Sequence, residues 1–304
     1  MTERKAFGVG PAGIEIAYER LGDPGDPPVV LIMGAAGQLI DWPDGLCEQL
    51  VGRGLQVIRF DSRDTGRSTH VRDAPQPDIM AAMAGDVSSA AYTLSDMAAD
   101  TVGLLDVLGI DSAHLVGASM GGMIAQTIAI EFPRRVRSLT SIMSTTGNPA
   151  VGQSDPGAFG QAGPPPADRA AYQEWSVLTK RASGSPGFAF DEAAVRAHAG
   201  RVFDRGVDFT GMMRQAVAVL ASGDRTARLR ALDVPALVLH GTADRIFDSS
   251  GGRATAEAIP DAALVVLEGM GHSLPRELWP VFAEQIGALV AAAESTVPVA
   301  DWPA

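Results

Sequence analysis

The sequence is short of several things, and each shortage closes off a class of protein. Cys47 is the only cysteine among 304 residues, which excludes an intrachain disulfide and any multi-cysteine metal site and fits a reducing compartment. No uninterrupted apolar run approaches the ~20 residues of a membrane-spanning helix. Nor does an apolar stretch follow the charged start Met1-Thr2-Glu3-Arg4-Lys5-Ala6, as a secretory leader would require. The expectation is a soluble, cytoplasmic chain whose one cysteine is a free thiol on a helix. Basic clusters, heptad runs and internal repeats are missing too. With 24 Lys and Arg against 36 Asp and Glu the formal charge is −12, and so acidic a surface repels nucleic acid and anionic lipid. The expected partner is a small molecule, with the choice between monomer and homo-oligomer left open.

What is present reads as globular. A chain 46% hydrophobic and 20% charged lies outside the polar, charge-dense range of disorder, and its length suits one large domain or a core carrying an inserted subdomain. Short β-type runs alternate with helix-type runs, the pattern of a mainly parallel sheet covered on both faces. Residues 13–20 alternate like a first strand. Val29-Val30-Leu31-Ile32-Met33 and Val57-Ile58-Arg59-Phe60 read as buried strands flanking a helix over 44–53. A helix capped by Ser95 is expected over 95–108, with Ala98, Val102, Leu105 and Leu108 on one face. Further strands are expected at 114–117, 136–143, 236–240 and 263–267, and a closing helix at 278–293. Between residues 145 and 230 the sheet pattern lapses. Helices over 167–182, 191–203 and 209–221 would make a lid there, leaving 1–144 and 231–304 as the core. The tail from Glu294 reads as an ordered strap or a frayed end.

Chemistry concentrates where the strand His114-Leu115-Val116-Gly117 runs into Ser119-Met120-Gly121-Gly122 and an apolar helix. Gly117-Ala118-Ser119-Met120-Gly121 fits a nucleophile elbow, a strand-to-helix turn so tight that Gly117 and Gly121 have no room for side chains. The helix beginning at Met120 aims its positive end at a developing oxyanion. The plainer reading is a glycine-closed turn with a capping serine.

A serine needs a base, and the base needs an acid to fix its tautomer. His272, in the flexible-looking loop Gly269-Met270-Gly271-His272-Ser273, is the best base; His70, His114, His198 and His240 read as structural or surface residues, with His240 the nearest rival. Asp244 ends the strand-to-turn run Leu237-Val238-Leu239-His240-Gly241-Thr242-Ala243-Asp244 and stands at the carboxyl end of the sheet. The chain order Ser119, Asp244, His272 is one of the known triad orders. Two oxyanion donors are expected from the amides of Met120 and of Ala35, the latter in the small-residue loop Met33-Gly34-Ala35-Ala36-Gly37. The run 61–68 reads as a structural turn held by carboxylate–guanidinium pairs.

Taken together, Asp61-Ser62-Arg63-Asp64-Thr65-Gly66-Arg67-Ser68, the Gly117 to Gly122 elbow, the His240 to Asp244 turn and Gly269-Met270-Gly271-His272 resemble the α/β-hydrolase superfamily over almost the whole chain outside the insertion. Met33-Gly34, Asp41-Trp42-Pro43, Arg63-Asp64-Thr65-Gly66-Arg67-Ser68-Thr69 and the His272 loop are similar to the aclacinomycin methylesterases. That resemblance implies an α/β-hydrolase fold with a helical lid and a carboxylic ester hydrolase that uses neither cofactor nor metal, with polyketide methyl esters as one substrate class. The same triad serves lactonases, cofactor-free haloperoxidases or perhydrolases, and C–C bond hydrolases. A serine at 119 argues against the related enzymes that use an aspartate nucleophile. A non-catalytic small-ligand receptor on the same fold is the reading from outside enzymology.

Overall fold

Alternate residues of the central strands point into two separate cores, and that division organises the molecule. The computed structural model describes residues 2–159 and 163–296. Within them lie strands β1 (Arg4–Val9), β2 (Ile14–Leu21), β3 (Pro28–Ile32), β4 (Gln56–Phe60), β5 (Ala113–Ala118), β6 (Val136–Ile142), β7 (Ala236–Gly241) and β8 (Ala263–Leu267). They form one sheet ordered β1-β2-β4-β3-β5-β6-β7-β8. The pairings β1 with β2 and β2 with β4 are antiparallel, and all the others are parallel.

The helices are α1 (Asp44–Val51), α2 (Ile79–Met83), α3 (Leu94–Val107), α4 (Met120–Glu131), α5 (Arg169–Ser183), α6 (Glu192–Arg205), α7 (Phe209–Ser222), α8 (Thr226–Leu229), α9 (Ser249–Ala258) and α10 (Trp279–Thr296). On one face of the sheet Val30, Ile32, Ile58 and Leu115 pack with Leu105 of α3 and Ile124 of α4. On the other, Val29, Leu31, Val57 and Val116 meet Leu46 of α1 and Phe282 of α10. Burial on both sides is why β3 and β5 lack the polar alternation of a one-sided sheet. Cys47 lies on α1, as expected, and is buried. Burial, only partly opposed by Arg59, pushes its thiol up to about 11. Among the described residues no helix is long and apolar enough to cross a membrane.

Three local expectations change. The sheet begins one strand earlier than the sequence pattern indicates, because β1 is an edge strand whose Arg4, Lys5 and Phe7 face outward. Helix α3 is capped by Thr93, not Ser95: Thr93 and Asp96 form a capping box, while the Ser95 hydroxyl donates to Glu131 at 2.8 Å. Helices α2 and α9 appear where no periodic apolar pattern marks them. The first three residues of the expected tail, 294–296, belong to α10; the rest, 297–304, lies outside the described residues.

Between β6 and β7 the chain forms α5 to α8. Asp168, Asp191 and Asp208 each accept an amide from three residues on and so start α5, α6 and α7. Tyr172, Ala199 and Val202 give α5 and α6 a small core of their own, in which Tyr172 stacks on Trp175 with ring centroids 5.5 Å apart. At the far end of the sheet, His114 is sealed between β5, β6 and α10, with Nδ1 2.8 Å from the Ser138 hydroxyl and Nε2 3.1 Å from Glu294.

Burial holds His114 down to about 4, against the pull of Glu294. Because its folded value lies below the ordinary ~6.5, the unfolded chain takes up the proton first, and this stabilisation is lost as pH falls from about 6.5 toward 4. The urea midpoint of His114→Gln should therefore drop less than that of the wild type between pH 7.5 and pH 4.5. Equal drops would remove His114 from the account of acid sensitivity.

Candidate active site

The centre of the site is a backbone conformation that alanine or serine adopts rarely. Ser119, between β5 and α4, has φ 57° and ψ −123°, in the left-handed half of the map that costs non-glycine residues energy. Close packing holds it there. A Cβ on Gly117 would lie 2.1 Å from the Gly121 carbonyl oxygen, and one on Gly121 would lie 2.0 Å from the oxygen of Ile32 in β3. The Ser119 amide donates to Ile142 O at 2.9 Å, and its carbonyl accepts the Ser144 hydroxyl at 2.7 Å.

Ser119 Oγ lies 2.9 Å from His272 Nε2, and His272 Nδ1 lies 2.8 Å from an Asp244 carboxylate oxygen. A carboxylate only accepts, so Nδ1 carries the proton and Nε2 is the acceptor facing the serine. The other Asp244 oxygen takes the amides of Ile246 and Phe247 at 2.9 and 3.0 Å. Burial pushes the Asp244 carboxyl up, but the donors from His240, His272 and the Phe247 amide more than offset it and bring it to about 2. Asp244 is therefore an anion at neutral pH.

The loop carrying His272 is packed against the insertion, not loose as its glycines suggest. The His272 amide donates to Ser183 O and the Gly271 amide to Ser185 Oγ, both at 2.9 Å. A Cβ on Gly271 would meet Gly184 O at 1.9 Å. These glycines serve close approach to the end of α5. Phe247 stands edge-on to the imidazole, with centroids 5.8 Å apart.

The loop after β3 folds as a turn in which the Gly37 amide bonds Gly34 O at 3.0 Å and Ala36 takes φ 58°. Gly34 faces the serine directly: a Cβ there would lie 2.9 Å from Ser119 Cβ and 3.4 Å from Oγ. Among the described residues neither the Ala35 amide nor the Met120 amide has a protein acceptor. Next to them the Ala36 amide is taken by Gln215 Oε1 at 2.7 Å.

Of the other four histidines only His240 also approaches Asp244. His240 is buried on β7, with Nε2 2.8 Å from Phe247 O and 3.5 Å from Asp244. His70 sits between Asp208 and Gly66 O, and His198 on α6 pairs with Asp41. The turn at 61–68 is a structural knot. Arg63 grips Asp100 at 2.6 and 2.7 Å, and Asp64 takes Arg214 of α7 at 2.8 and 2.9 Å. Asp64, His70 and Asp208 bring possible metal donors within 4.8 Å of one another, but Arg214 and the Tyr92 hydroxyl already occupy the Asp64 oxygens.

Sequence reasoning passed over the residues that tie the insertion to these loops: Gln38, which donates to Val202 O and Gly206 O, Arg205, which reaches Asp61, and Gln215. One signal was available for the last. Gly211, Arg214, Gln215 and Ala218 lie at helical spacing on the buried stripe of α7, so two polar side chains occupy positions where apolar ones are normal.

A family model described as alpha/beta hydrolase fold matches residues 27–275. The chain is 29% identical to rhodomycin D methylesterase DnrP of Streptomyces peucetius, over 90% of its own length and 94% of that protein's. It is also 29% identical to a 2-hydroxymuconate semialdehyde hydrolase of Pseudomonas putida, over 75% of this chain and 80% of the other. The crystal structure of the enol-lactonase from Burkholderia xenovorans LB400 superposes with a TM-score of 0.71 at 24% identity, covering 95% of this chain and all of that one. The eight-stranded sheet, its helices on both faces and the family match agree: the chain belongs to the α/β-hydrolase family.

Proposed function

We propose that this chain is a serine carboxylic ester hydrolase that works through an acyl-enzyme. The observation that carries the reading is the unbroken contact series from Ser119 Oγ through His272 to Asp244. In this scheme His272 Nε2 accepts the Ser119 proton as Oγ bonds to the ester carbonyl carbon, and the carbonyl electron pair moves onto oxygen. The amides of Ala35 and Met120 hold that oxyanion, helped by the N-terminal end of α4. Asp244 stabilises the imidazolium. Collapse breaks the carbon–oxygen bond, and His272 hands its proton to the departing alcohol. Water then adds to the acyl-enzyme with His272 as base, releasing the acid and restoring Ser119. No step calls on a cofactor.

In the same reading, helices α5, α6 and α7 of residues 145–230 cap the site. Beside the Ala36 turn a cavity of about 50 Å³ lies between Tyr172, Trp175, Phe209 and Met212 on one side and Gln38, Asp64 and Asp208 on the other; Ser119 and His272 do not line it. A polyketide methyl ester is the substrate class suggested by similarity to rhodomycin D methylesterase. An intact acid and base speak against a receptor, which has no use for a proton relay.

Ser119→Ala should lower turnover of a nitrophenyl ester by at least about a thousandfold while leaving the circular dichroism spectrum unchanged. It should also abolish labelling by a fluorophosphonate; near-normal turnover would end the proposal. Asp244→Asn should cost about 10⁴-fold in kcat by letting the imidazole settle in the wrong tautomer. A methyl group on Gly34 intrudes on the nucleophile, so Gly34→Ala should lower kcat/KM at least about tenfold with little loss of thermal stability. A panel of methyl, aryl and lactone substrates then separates ester from lactone preference by relative kcat/KM.

A further inference from the structure

Gln215 is a fully buried carboxamide whose three hydrogen bonds run to two different loops. Its Oε1 accepts the Ala36 amide at 2.7 Å, and its Nε2 donates to Arg63 O and Thr65 Oγ1, each at 2.8 Å. The chemistry fixes which end is which, since an amide needs an oxygen and a carbonyl needs an N–H. The helix bearing it cannot drift. Arg214 is clamped bidentately on Asp64, and at Gly211 a Cβ would meet Asp64 O at 2.6 Å.

The partner of Oε1 stands in a backbone conformation that needs restraint. Ala36 has φ 58° at the third position of the Gly34–Gly37 turn, where glycine is the usual occupant. For alanine the intrinsic preference is the alternative turn, in which the peptide between Ala35 and Ala36 is rotated and φ becomes negative. An immovable acceptor on the Ala36 N–H opposes that rotation. The peptide that would rotate carries the Ala35 carbonyl, while the Gly34–Ala35 peptide with the Ala35 N–H keeps its direction in both turn types; the bond to Gln215 fixes the Ala35 carbonyl dipole and the seat of the turn beside that amide.

We propose that Gln215 is a positioning residue for ester hydrolysis: through Ala36 it locks the turn that presents the Ala35 amide to the oxyanion. This rests on the reading of Ser119 as nucleophile and assigns part of the oxyanion site to a helix of the insertion. Gln215 touches no reacting atom. Its contribution belongs to the transition state, where the second donor matters, and not to substrate binding.

The test uses the full chain, with sites counted by end-point fluorophosphonate titration so that only folded protein is compared. Gln215→Met should lower kcat about 10- to 100-fold with KM changed less than about threefold. The Ki of a short alkylboronic acid, which forms a tetrahedral adduct with the serine, should rise by the same factor. Adding Ala36→Gly should restore a substantial part of kcat, because glycine accepts the positive φ unaided. Thr65→Val, which removes one anchor of the carboxamide but not its bond to Ala36, should keep kcat within about threefold. Should Gln215→Met not fold, Gln215→Asn, one methylene too short to reach both loops, carries the same expectations. A titratable Gln215 variant with wild-type kcat, a boronate Ki that does not follow kcat, or no rescue by Ala36→Gly would overturn the inference. Ser119→Ala run alongside separates the two levels: if it retains turnover the nucleophile is wrong, whatever the Gln215 variants do.

Discussion

Helix α4 approaches strand β3 so closely at Gly121 that no side-chain carbon fits between them, and the site depends on that contact. It draws the N-terminus of α4 against the carboxyl ends of β3 and β5 and forces the intervening Ser119 into a left-handed conformation. The cost of that backbone is carried by the two apolar cores that press the sheet between its helices. Once the serine is raised in this way, the loop after β3 passes directly beneath it, which is why Gly34 has no side chain. The ends of β7 and β8 then bring Asp244 and His272 to it.

The insertion is bound to the two loops that flank the serine. Ser183 and Ser185 hold the His272 loop from one side; on the other, Gln215 holds the Ala36 turn, and Gln38 just after that turn donates to Val202 O and Gly206 O. Nearly all of these bonds involve backbone amides or carbonyls, so they fix loop shape and leave side chains free to face a ligand. Polar anchors of this kind are costly to leave unpaired once buried.

Much of this was legible from the sequence because it is written locally. The buried strands are continuous apolar runs, and the elbow glycines stand at fixed distances from Ser119. Asp244 and His272 each follow a strand end. Other features depend on what lies across the fold. Strand β1 is hidden by the charges an edge tolerates, and Thr93 and Ser95 are equally good caps until Asp96 is seen to close a box with the former. The glycines of the His272 loop look like freedom in one dimension and prove to be clearance in three. Gln215 is the instructive case. A polar residue on the buried stripe of α7 signals a partner, but the partner is 179 residues away in sequence and unknowable without the fold.

Cys47, with which the absences began, has a use that follows from its position. The thiol is shut between α1 and the core that α1 and α10 share, and its raised pKa keeps it protonated and unreactive at neutral pH. A soluble thiol reagent can reach it only when α1 leaves the sheet. The rate at which the native protein consumes such a reagent therefore times the opening of the face opposite α3 and α4, a single-site clock for local unfolding built into the natural sequence.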